Sequence, residues 1–165
     1  MNRLARLTNI LIVSALLVGL YIFWTHSLNP GNLAIIALAA IVSSVLFVSS
    51  EKMPIITLKK IAYSIAYIGY MFIAIVKSTM DVAKRVVRKE IPLNPGIVKV
   101  KTHLQSKAGR MILANSITLT PGTLSVDVQD DYYYIHWIDI TTLDVEEASQ
   151  EIVAGFEKYL EVIFG

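Results

Sequence analysis

Two uncharged apolar segments near the N-terminus constrain the fold of this chain more than any other feature. They cover Leu7–Trp24 and Leu33–Ser50, each 18 residues long, and the connection between them contains the turn-forming pair Pro30-Gly31. A helix of that length measures about 27 Å, close to the thickness of a bilayer's hydrocarbon core. Because backbone groups in lipid can bond only to one another, helix is the state expected for both segments. The sequence therefore predicts a transmembrane helical hairpin over residues 1–58.

Composition supports a membrane protein with a small soluble part. Hydrophobic residues make up 55% of the chain and charged residues 17%, whereas soluble domains usually carry about 25% charged residues. Residues 1–110 hold 14 basic and three acidic residues, for a net charge of +11, and residues 111–165 hold one basic and ten acidic residues, for −9. The chain has no cysteine, which excludes disulfides, thiolate metal ligands and cysteine nucleophiles within it.

The basic residues beside the apolar segments predict the orientation of the hairpin. Arg3 and Arg6 precede the first segment, and Lys52, Lys59 and Lys60 follow the second, while the connection between them has no Lys or Arg. Positive residues favour the cytoplasmic side of a membrane. We therefore expect a multi-pass protein of the cell membrane with both termini in the cytoplasm.

The third segment, residues 59–91, has a helical pattern with two faces. At about 100° per residue, one sector of the helix collects tyrosines and charged residues, and the opposite sector collects apolar residues. The first sector contains Lys59, Tyr63, Tyr67, Tyr70, Ala74, Lys77, Asp81, Lys84, Arg85 and Arg88, and the second contains Ile61, Ile65, Ile68, Phe72, Ile75, Thr79, Ala83 and Val86.

This pattern favours an amphipathic helix that lies in the membrane interface with its basic face toward lipid headgroups. The basic cluster Lys84, Arg85, Arg88 and Lys89 would then contact anionic lipid. Its position directly after such a helix argues against nucleic acid as its partner. A tilted third span, with the tyrosines packed on another subunit, is the alternative.

Residues 92–165 are predicted to form a small cytoplasmic α/β domain with the order β-α-β-β-α, which begins at the helix-breaking segment Pro92–Gly96. The expected elements are a strand at Ile97–Thr102, a short buried helix at Arg110–Ile117, strands at Leu124–Val128 and Tyr132–Ile140, and a helix from Asp144 to about Phe164. Thr120–Thr123 fits a type II turn in which Gly122 supplies the positive φ. Asp144 and Glu147 have the spacing of a capping box.

The residues offer no catalytic, cofactor-binding or metal-binding site. The hairpin segments hold no Asp, Glu, Lys, Arg or His, although ion pathways need such groups or backbone carbonyls. Lys77 and Asp81 are expected to form a solvated i,i+4 pair. The histidines at positions 26, 103 and 136 lack the spacing of metal ligands, and His136 is expected to be a half-buried, hydrogen-bonded strand residue.

One part of the sequence resembles a family signature. The run Leu113–Val128 (LANSITLTPGTLSVDV), followed by Tyr134–Ile140 (YIHWIDI), is similar to the E subunit of Mrp-type multisubunit sodium/proton antiporters, and the resemblance covers essentially the whole chain. The residues that match this signature, for which structural roles are expected, are Asn115, Thr118, Thr120, Pro121, Gly122, Thr123, Asp127, His136 and Asp139.

The resemblance implies an accessory, non-catalytic subunit of a cation (sodium)/proton antiporter or of a related archaeal membrane-bound hydrogenase or sulfane-reductase complex. It implies no cofactor, partners among small F- and G-type membrane subunits, and ion movement by larger subunits. Membrane lipid is the other expected partner. A stand-alone regulatory or lipid-binding protein anchored by the hairpin is the alternative. A scaffold subunit should be unstable alone and co-purify with other membrane proteins.

Overall fold

The computed structural model describes residues 3–50, 56–88 and 93–165. They form two compact units, one ending at Thr57 and one beginning at Leu58. Lys52, Lys89 and Pro92, on which parts of the orientation, basic-cluster and boundary predictions depend, lie outside the described residues.

The first unit is a pair of helices, α1 (Arg3–Thr25) and α2 (Pro30–Ser50). α2 begins at its proline, which is well suited to the first helical turn because its missing amide hydrogen is not needed there. The Asn29 side chain accepts a hydrogen bond from the Gly31 amide at 3.0 Å, and this satisfies one free donor of that turn. The short connection makes α1 and α2 a helical hairpin, as predicted.

The two hairpin helices contact each other through small and polar residues. Asn9, Ser14, Ala40 and Ser44 are buried, and the hydroxyl oxygens of Ser14 and Ser44 lie 2.7 Å apart. The Asn9 side chain accepts a hydrogen bond from the backbone amide of Ile56 at 3.0 Å. Large apolar side chains point away from this contact.

Among the described residues, two helices are long and apolar enough to cross a membrane. These are Arg6–Thr25 in α1 and Leu58–Val86, the whole of the third helix, and Pro30–Leu46 is a shorter apolar helix.

The second unit combines a long helix with a small α/β fold. Its elements are α3 (Leu58–Val86), β1 (Gly96–Lys101), α4 (Lys107–Leu119), β2 (Thr123–Gln129), β3 (Tyr132–Trp137), α5 (Val145–Ile152) and α6 (Ala154–Phe164). The strands form one antiparallel sheet in the order β1-β3-β2. The elements after α3 thus follow the predicted order, except that the last helix has two parts.

One face of the sheet and the helices that cover it form the core. Alternate residues of β3, namely Tyr133, Ile135 and Trp137, are buried, as are Val98 and Val100 of β1. The helices contribute Leu113, Ile117, Ala148, Ile152, Val153, Phe156 and Leu160 to the same apolar cluster. This alternation is typical of strands with one covered face.

His136 does not occupy the expected half-buried position. It is exposed on the sheet face opposite the helices, because its neighbours Ile135 and Trp137 both point into the core and successive strand side chains alternate between faces. The sequence prediction for this residue was therefore wrong.

The last helix is divided at Val153. This residue keeps helical backbone angles, φ −100° and ψ −45°, and its amide donates to the Ser149 carbonyl at 2.8 Å, so the division is a kink rather than a loop. Just beyond it, Gly155 lies so close to Tyr70 of α3 that a Cβ there would collide with the tyrosine hydroxyl. A glycine at this position permits the close approach of α6 to α3.

One polar side chain caps the N-terminus of each of α4 and α5. The Ser106 hydroxyl accepts from the Gly109 amide at 3.1 Å, so α4 begins three residues before the predicted Arg110. Asp144 caps α5 by accepting from the amides of Glu146 and Glu147. The Glu147 carboxylate does not complete the expected capping box, since it accepts a hydrogen bond from the Thr142 hydroxyl.

Candidate functional site

A groove of about 500 Å³ lies between α3 and the Thr120–Thr123 turn. Its walls are α3 from Tyr70 to Arg85, the turn itself, the residues that follow β3, and part of α5 and α6. Five of the nine signature residues line it: Thr120, Pro121, Gly122, Thr123 and Asp139. We therefore take this groove as the candidate functional site of the second unit.

Tyrosines of α3 hold this helix against α6 at one side of the groove. The ring of Tyr70 lies 5.4 Å from Phe156 and 5.2 Å from Tyr159, measured between centroids, and the Tyr67 ring lies 6.1 Å from Tyr159. The Tyr67 hydroxyl is also hydrogen-bonded to the Ser116 hydroxyl. The tyrosine sector therefore packs on the α/β part of the same chain, and not on lipid headgroups or another subunit as the sequence suggested.

Arg85 connects α3 to the residues after β3 through two carboxylates. Its Nε lies 2.8 Å from Asp81 Oδ2, and its Nη1 lies 2.6 Å from Asp139 Oδ2. The planar guanidinium can donate to both acids at once, which a lysine ammonium does less well. The expected partner of Asp81 was Lys77; the structure gives Arg85 instead.

The other members of the predicted basic cluster lie differently. Lys84 and Arg88 are exposed, and Lys89 is outside the described residues. Arg85 is therefore part of an internal contact, and a lipid-facing role stays a prediction for Lys84 and Arg88.

The signature threonines close the C-terminal end of α4. The last four carbonyls of a helix have no partner of the usual i+4 kind within it, and in α4 two of them accept from threonine hydroxyls: Ser116 from Thr120 at 2.8 Å and Ile117 from Thr123 at 2.7 Å. The Thr118 hydroxyl donates to the Ala114 carbonyl one turn earlier in the same helix, at 2.9 Å. The threonines of the signature thus fix where α4 stops and where the chain turns toward β2.

The turn between α4 and β2 has the geometry that the sequence predicted. Gly122 has a φ of +96°, and the Thr123 amide donates to the Thr120 carbonyl at 3.2 Å, as in a type II turn. The Gly122 carbonyl accepts from the Ile138 amide at 2.9 Å. The turn is therefore tied to the segment that carries Asp139.

Four signature residues, namely Asn115, Thr118, Asp127 and His136, lie outside the groove. Asn115 is exposed on α4, and His136 is exposed on the uncovered face of the sheet. Asp127, on β2, accepts hydrogen bonds from the Val128 amide at 2.8 Å and from the Gln129 side chain at 2.9 Å. Their structural role in the signature stays a prediction.

A second polar cluster, which the sequence analysis did not identify, surrounds Glu157 of α6. Its Oε1 accepts from the Thr102 hydroxyl at 2.5 Å and the His103 amide at 2.6 Å, and its Oε2 lies 3.2 Å from His103 Nδ1. Burial opposes ionisation of this carboxyl, but these hydrogen bonds outweigh it and lower the pKa of Glu157. The signal in the sequence was an acid between Phe156 and Leu160 on the apolar side of a helix.

The Glu157 cluster also has the composition of a weak metal site. His103, Glu157 and Glu161 each offer a ligand atom, and these atoms lie within 4.8 Å of one another. The Glu157 oxygens already form hydrogen bonds with Thr102 and His103. The arrangement is therefore suited to fixing the chain after β1 against α6.

Both polar clusters thus connect elements of the fold to each other. Within the described residues, no buried side-chain nitrogen or oxygen lacks a hydrogen-bond partner.

Comparison with known proteins agrees with the signature. The family model described as Na+/H+ ion antiporter subunit, MNHE, matches residues 14–163. The chain belongs to the MNHE family of antiporter subunits. This confirms the resemblance to an Mrp-type E subunit that Leu113–Val128 indicated.

Similar chains occur in bacteria and in an archaeal respiratory complex. The E-type Na(+)/H(+) antiporter subunit of Alkalihalophilus pseudofirmus is 37% identical over 103 residues, which cover 61% of this chain and 64% of that protein. The E1-type Na(+)/H(+) antiporter subunit of Staphylococcus aureus is 31% identical over 93% of this chain and 96% of its own length.

A solved structure gives the same result for the fold. A chain of the membrane-bound sulfane sulfur reductase (MBS), an archaeal respiratory membrane complex, is 42% identical and superimposes with a TM-score of 0.79, covering 95% of this chain and 99% of that one. The MNHE-family chain is thus a membrane protein and a subunit of a multisubunit antiporter-type complex.

Proposed function

We propose that this MNHE-family chain is a non-catalytic scaffold subunit, which supports ion transport without carrying it. The observation that carries the proposal is the chemistry of the hairpin. Its buried polar residues, Asn9, Ser14 and Ser44, are not ionisable, and the apolar runs contain no charged side chain. A proton or cation path needs titratable groups or a lining of carbonyls.

The charged groups of the α3 groove support the same proposal. Asp81, Arg85 and Asp139 are paired with one another, and they link α3 to the α/β fold. Opposite charges in contact hold each other in the charged form, so these groups are poorly suited to binding and releasing a proton or cation. The groove therefore suits a structural junction better than an ion site.

Transport per assembled complex tests the scaffold role. We expect deletion of this chain to lower cation/proton exchange in inside-out vesicles through loss or loosening of the complex. The variants Lys77→Gln and Asp81→Asn, in complexes that still assemble, should leave exchange largely intact. A fall of about tenfold, equivalent to about 1.4 kcal/mol in activation free energy, with assembly unchanged would contradict a scaffold role for α3.

The host complex proposed is one related to the sulfane sulfur reductase. This chain is 42% identical to the MBS chain over 95% of its length, compared with 31% over 93% for the S. aureus antiporter protein. Mass spectrometry of the complex purified in mild detergent should identify reductase- or hydrogenase-type subunits together with small F- and G-type membrane subunits. Recovery of plain antiporter subunits alone would reassign the host, and recovery of a single chain would favour a stand-alone protein.

Multi-pass topology with both termini in the cytoplasm is also part of the proposal, because the basic residues flank the hairpin on one side. The absence of cysteine makes single-cysteine labelling direct. A cysteine at Asn29 should react with an impermeant reagent from outside, whereas cysteines at Lys52 and Ser149 should be protected. External labelling at Lys52 would invert the hairpin.

A further inference from the structure

The third helix has one covered and one uncovered face. Its apolar residues at 65, 68 and 72 are 67–69% exposed in this chain: Ile65 67%, Ile68 68% and Phe72 69%. The same face continues toward Val86, which is 64% exposed. A helix that is amphipathic over about eight turns and leaves its apolar face uncovered requires an apolar environment on that side.

The covered face is occupied by the α/β fold along nearly the whole helix. The contacts begin with Tyr63, whose ring lies 6.4 Å from that of Tyr159, and end with the Arg85–Asp139 ion pair at 2.6 Å. These two α3 residues are separated by about 33 Å along the helix axis. That distance is slightly more than the thickness of the bilayer's hydrocarbon core, which is about 30 Å.

This length of contact argues against a spanning α3. A spanning helix would carry the α/β elements packed against it into the hydrocarbon region, including the carboxylates of Glu157 and Asp139. Charged side chains at such depth are costly unless they line a water-filled or protein-filled cavity. The contacts therefore favour a helix that lies parallel to the membrane surface.

Three lysines lie along one flank of α3. Lys59, Lys77 and Lys84 are exposed, and their spacing places them within about 20° of one another around the helix. The flank lies between the apolar face and the face covered by the α/β fold. Lysines in this position can keep their stems along apolar surface and extend their ammonium groups to phosphate.

We propose that α3 lies in the plane of an anionic lipid bilayer, with its apolar face among the acyl chains, the lysine flank at the headgroups and the α/β fold on the aqueous side. The occupant of the uncovered face is lipid. The complementary charge of the lysine flank favours this over a second protein chain. The inference goes beyond the scaffold role, because it holds or fails whichever complex contains the chain.

Spin-label depth measurements on the full chain test the inference. Single cysteines at Ile65, Phe72 and Thr79 would carry a nitroxide, with the chain in phosphatidylglycerol-containing vesicles, and collision with oxygen and with a water-soluble nickel chelate would report depth. We expect all three labels at a similar shallow depth, about 5–10 Å into the headgroup–acyl boundary. A matched label at exposed Gln150 should collide freely with the nickel chelate.

Two other outcomes would overturn the inference. A profile that is deepest at Phe72 and shallow toward both ends of α3 would indicate a spanning helix. Protection of all three labels from both oxygen and nickel would indicate that protein covers the face.

The lysine flank has its own test in the same vesicles. The triple variant Lys59→Gln, Lys77→Gln and Lys84→Gln should raise nickel collision at the α3 labels in anionic vesicles, because each basic residue near the surface contributes about fivefold to surface affinity. Purely zwitterionic vesicles should remove the difference. A control with equal charge change, at Lys101, Lys107 and Lys158, should have no such effect. Equal depth in both triple variants would show that the flank does not contact lipid.

Discussion

The buried side chains of the α1–α2 hairpin are small or polar, whereas those of the α3–α6 unit are mostly large and apolar. In the hairpin, Ser14 and Ser44 face each other while Leu16 is 68% exposed. In the second unit, Leu113 and Ile135 are fully buried. Lipid solvates leucine as well as a protein core does, so helix pairs in membranes are held by close packing and hydrogen bonds. In water, burial of apolar surface is the main favourable contribution.

The third helix combines both arrangements in one element. Its Tyr67 and Tyr70 pack against the apolar core of the α/β fold. Its Ile68 and Phe72 are exposed, like the large apolar side chains of the hairpin. The comparison therefore predicts where the same substitution should matter and where it should not.

Leucine-to-alanine substitutions give the largest expected difference between the two units. Leu113→Ala, at a residue with 0% exposure, should lower the free energy of unfolding of the second unit by about 2–5 kcal/mol. Leu16→Ala should change stability by less than about 0.5 kcal/mol, because only lipid or detergent contacts are lost. Hydrogen exchange on the full chain in mild detergent would report the opening free energy of each unit separately. Comparable losses for the two variants would mean that protein covers the outer face of α1.

Gly122→Val should have the next largest effect. Its φ of +96° lies where a β-branched residue is strained, and we expect a loss of about 1–3 kcal/mol in the stability of the second unit. Thr120→Ala removes one hydroxyl bond and should cost less, about 0.5–1.5 kcal/mol. Denaturant unfolding followed by exchange of β2 and β3 amides would rank the two variants. A neutral Gly122→Val would mean that the turn relaxes without its left-handed residue.

Much of this fold can be predicted from local pattern. The alternation of β3 places Tyr133 and Ile135 in the core, and the Pro121-Gly122 pair specifies the turn, because both signals act over a few residues. The sequence also showed that α3 has two faces, since helical periodicity is a property of the helix alone.

What covers each face could not be predicted in the same way. The Arg85–Asp139 pair joins residues 54 positions apart, and nothing local distinguishes Arg85 from Lys84 as its donor. Tyrosine is equally suited to headgroups and to a half-buried protein contact, so the tyrosine sector was compatible with lipid, another subunit or the chain's own α/β fold. In the sequence Glu157 is one of several acids on a helix, and its contacts with Thr102 and His103 arise only in the folded chain.

The Glu157 cluster predicts a pH dependence for the second unit. The pKa of Glu157 is lowered in the folded chain. The ionised carboxylate therefore stabilises the fold at pH values above the ordinary carboxyl pKa of about 4.3. That contribution is lost as the pH falls through the lowered folded-state pKa. Glu157→Gln should therefore melt at a lower temperature than the natural chain at pH 7, and the difference should shrink below about pH 4.

Glu161→Gln is the matched control, because Glu161 is exposed on the same helix. It should change the melting temperature little at either pH. If Glu157→Gln and the natural chain differ equally at pH 7 and at pH 3, the hydrogen bonds to Glu157 do not depend on its charge.

The smallest expected effect lies in the hairpin. The Ser14 and Ser44 hydroxyls are 2.7 Å apart, and each can also donate to a carbonyl of its own helix, Ser14 to Ile10 at 2.7 Å and Ser44 to Ile41 at 2.9 Å. Whichever hydroxyl donates across the hairpin therefore shares its proton with the bond inside its own helix. A double-mutant cycle with Ser14→Ala and Ser44→Ala should therefore give a coupling near the average for such bonds in membranes, about 0.6 kcal/mol. Unfolding of the full chain in lipid discs would measure it, with exposed Ser43→Ala as the control. Coupling above about 1.7 kcal/mol would mean that the hairpin depends on this one bond, and its close helix contact at Ala40 would then contribute less than its burial suggests.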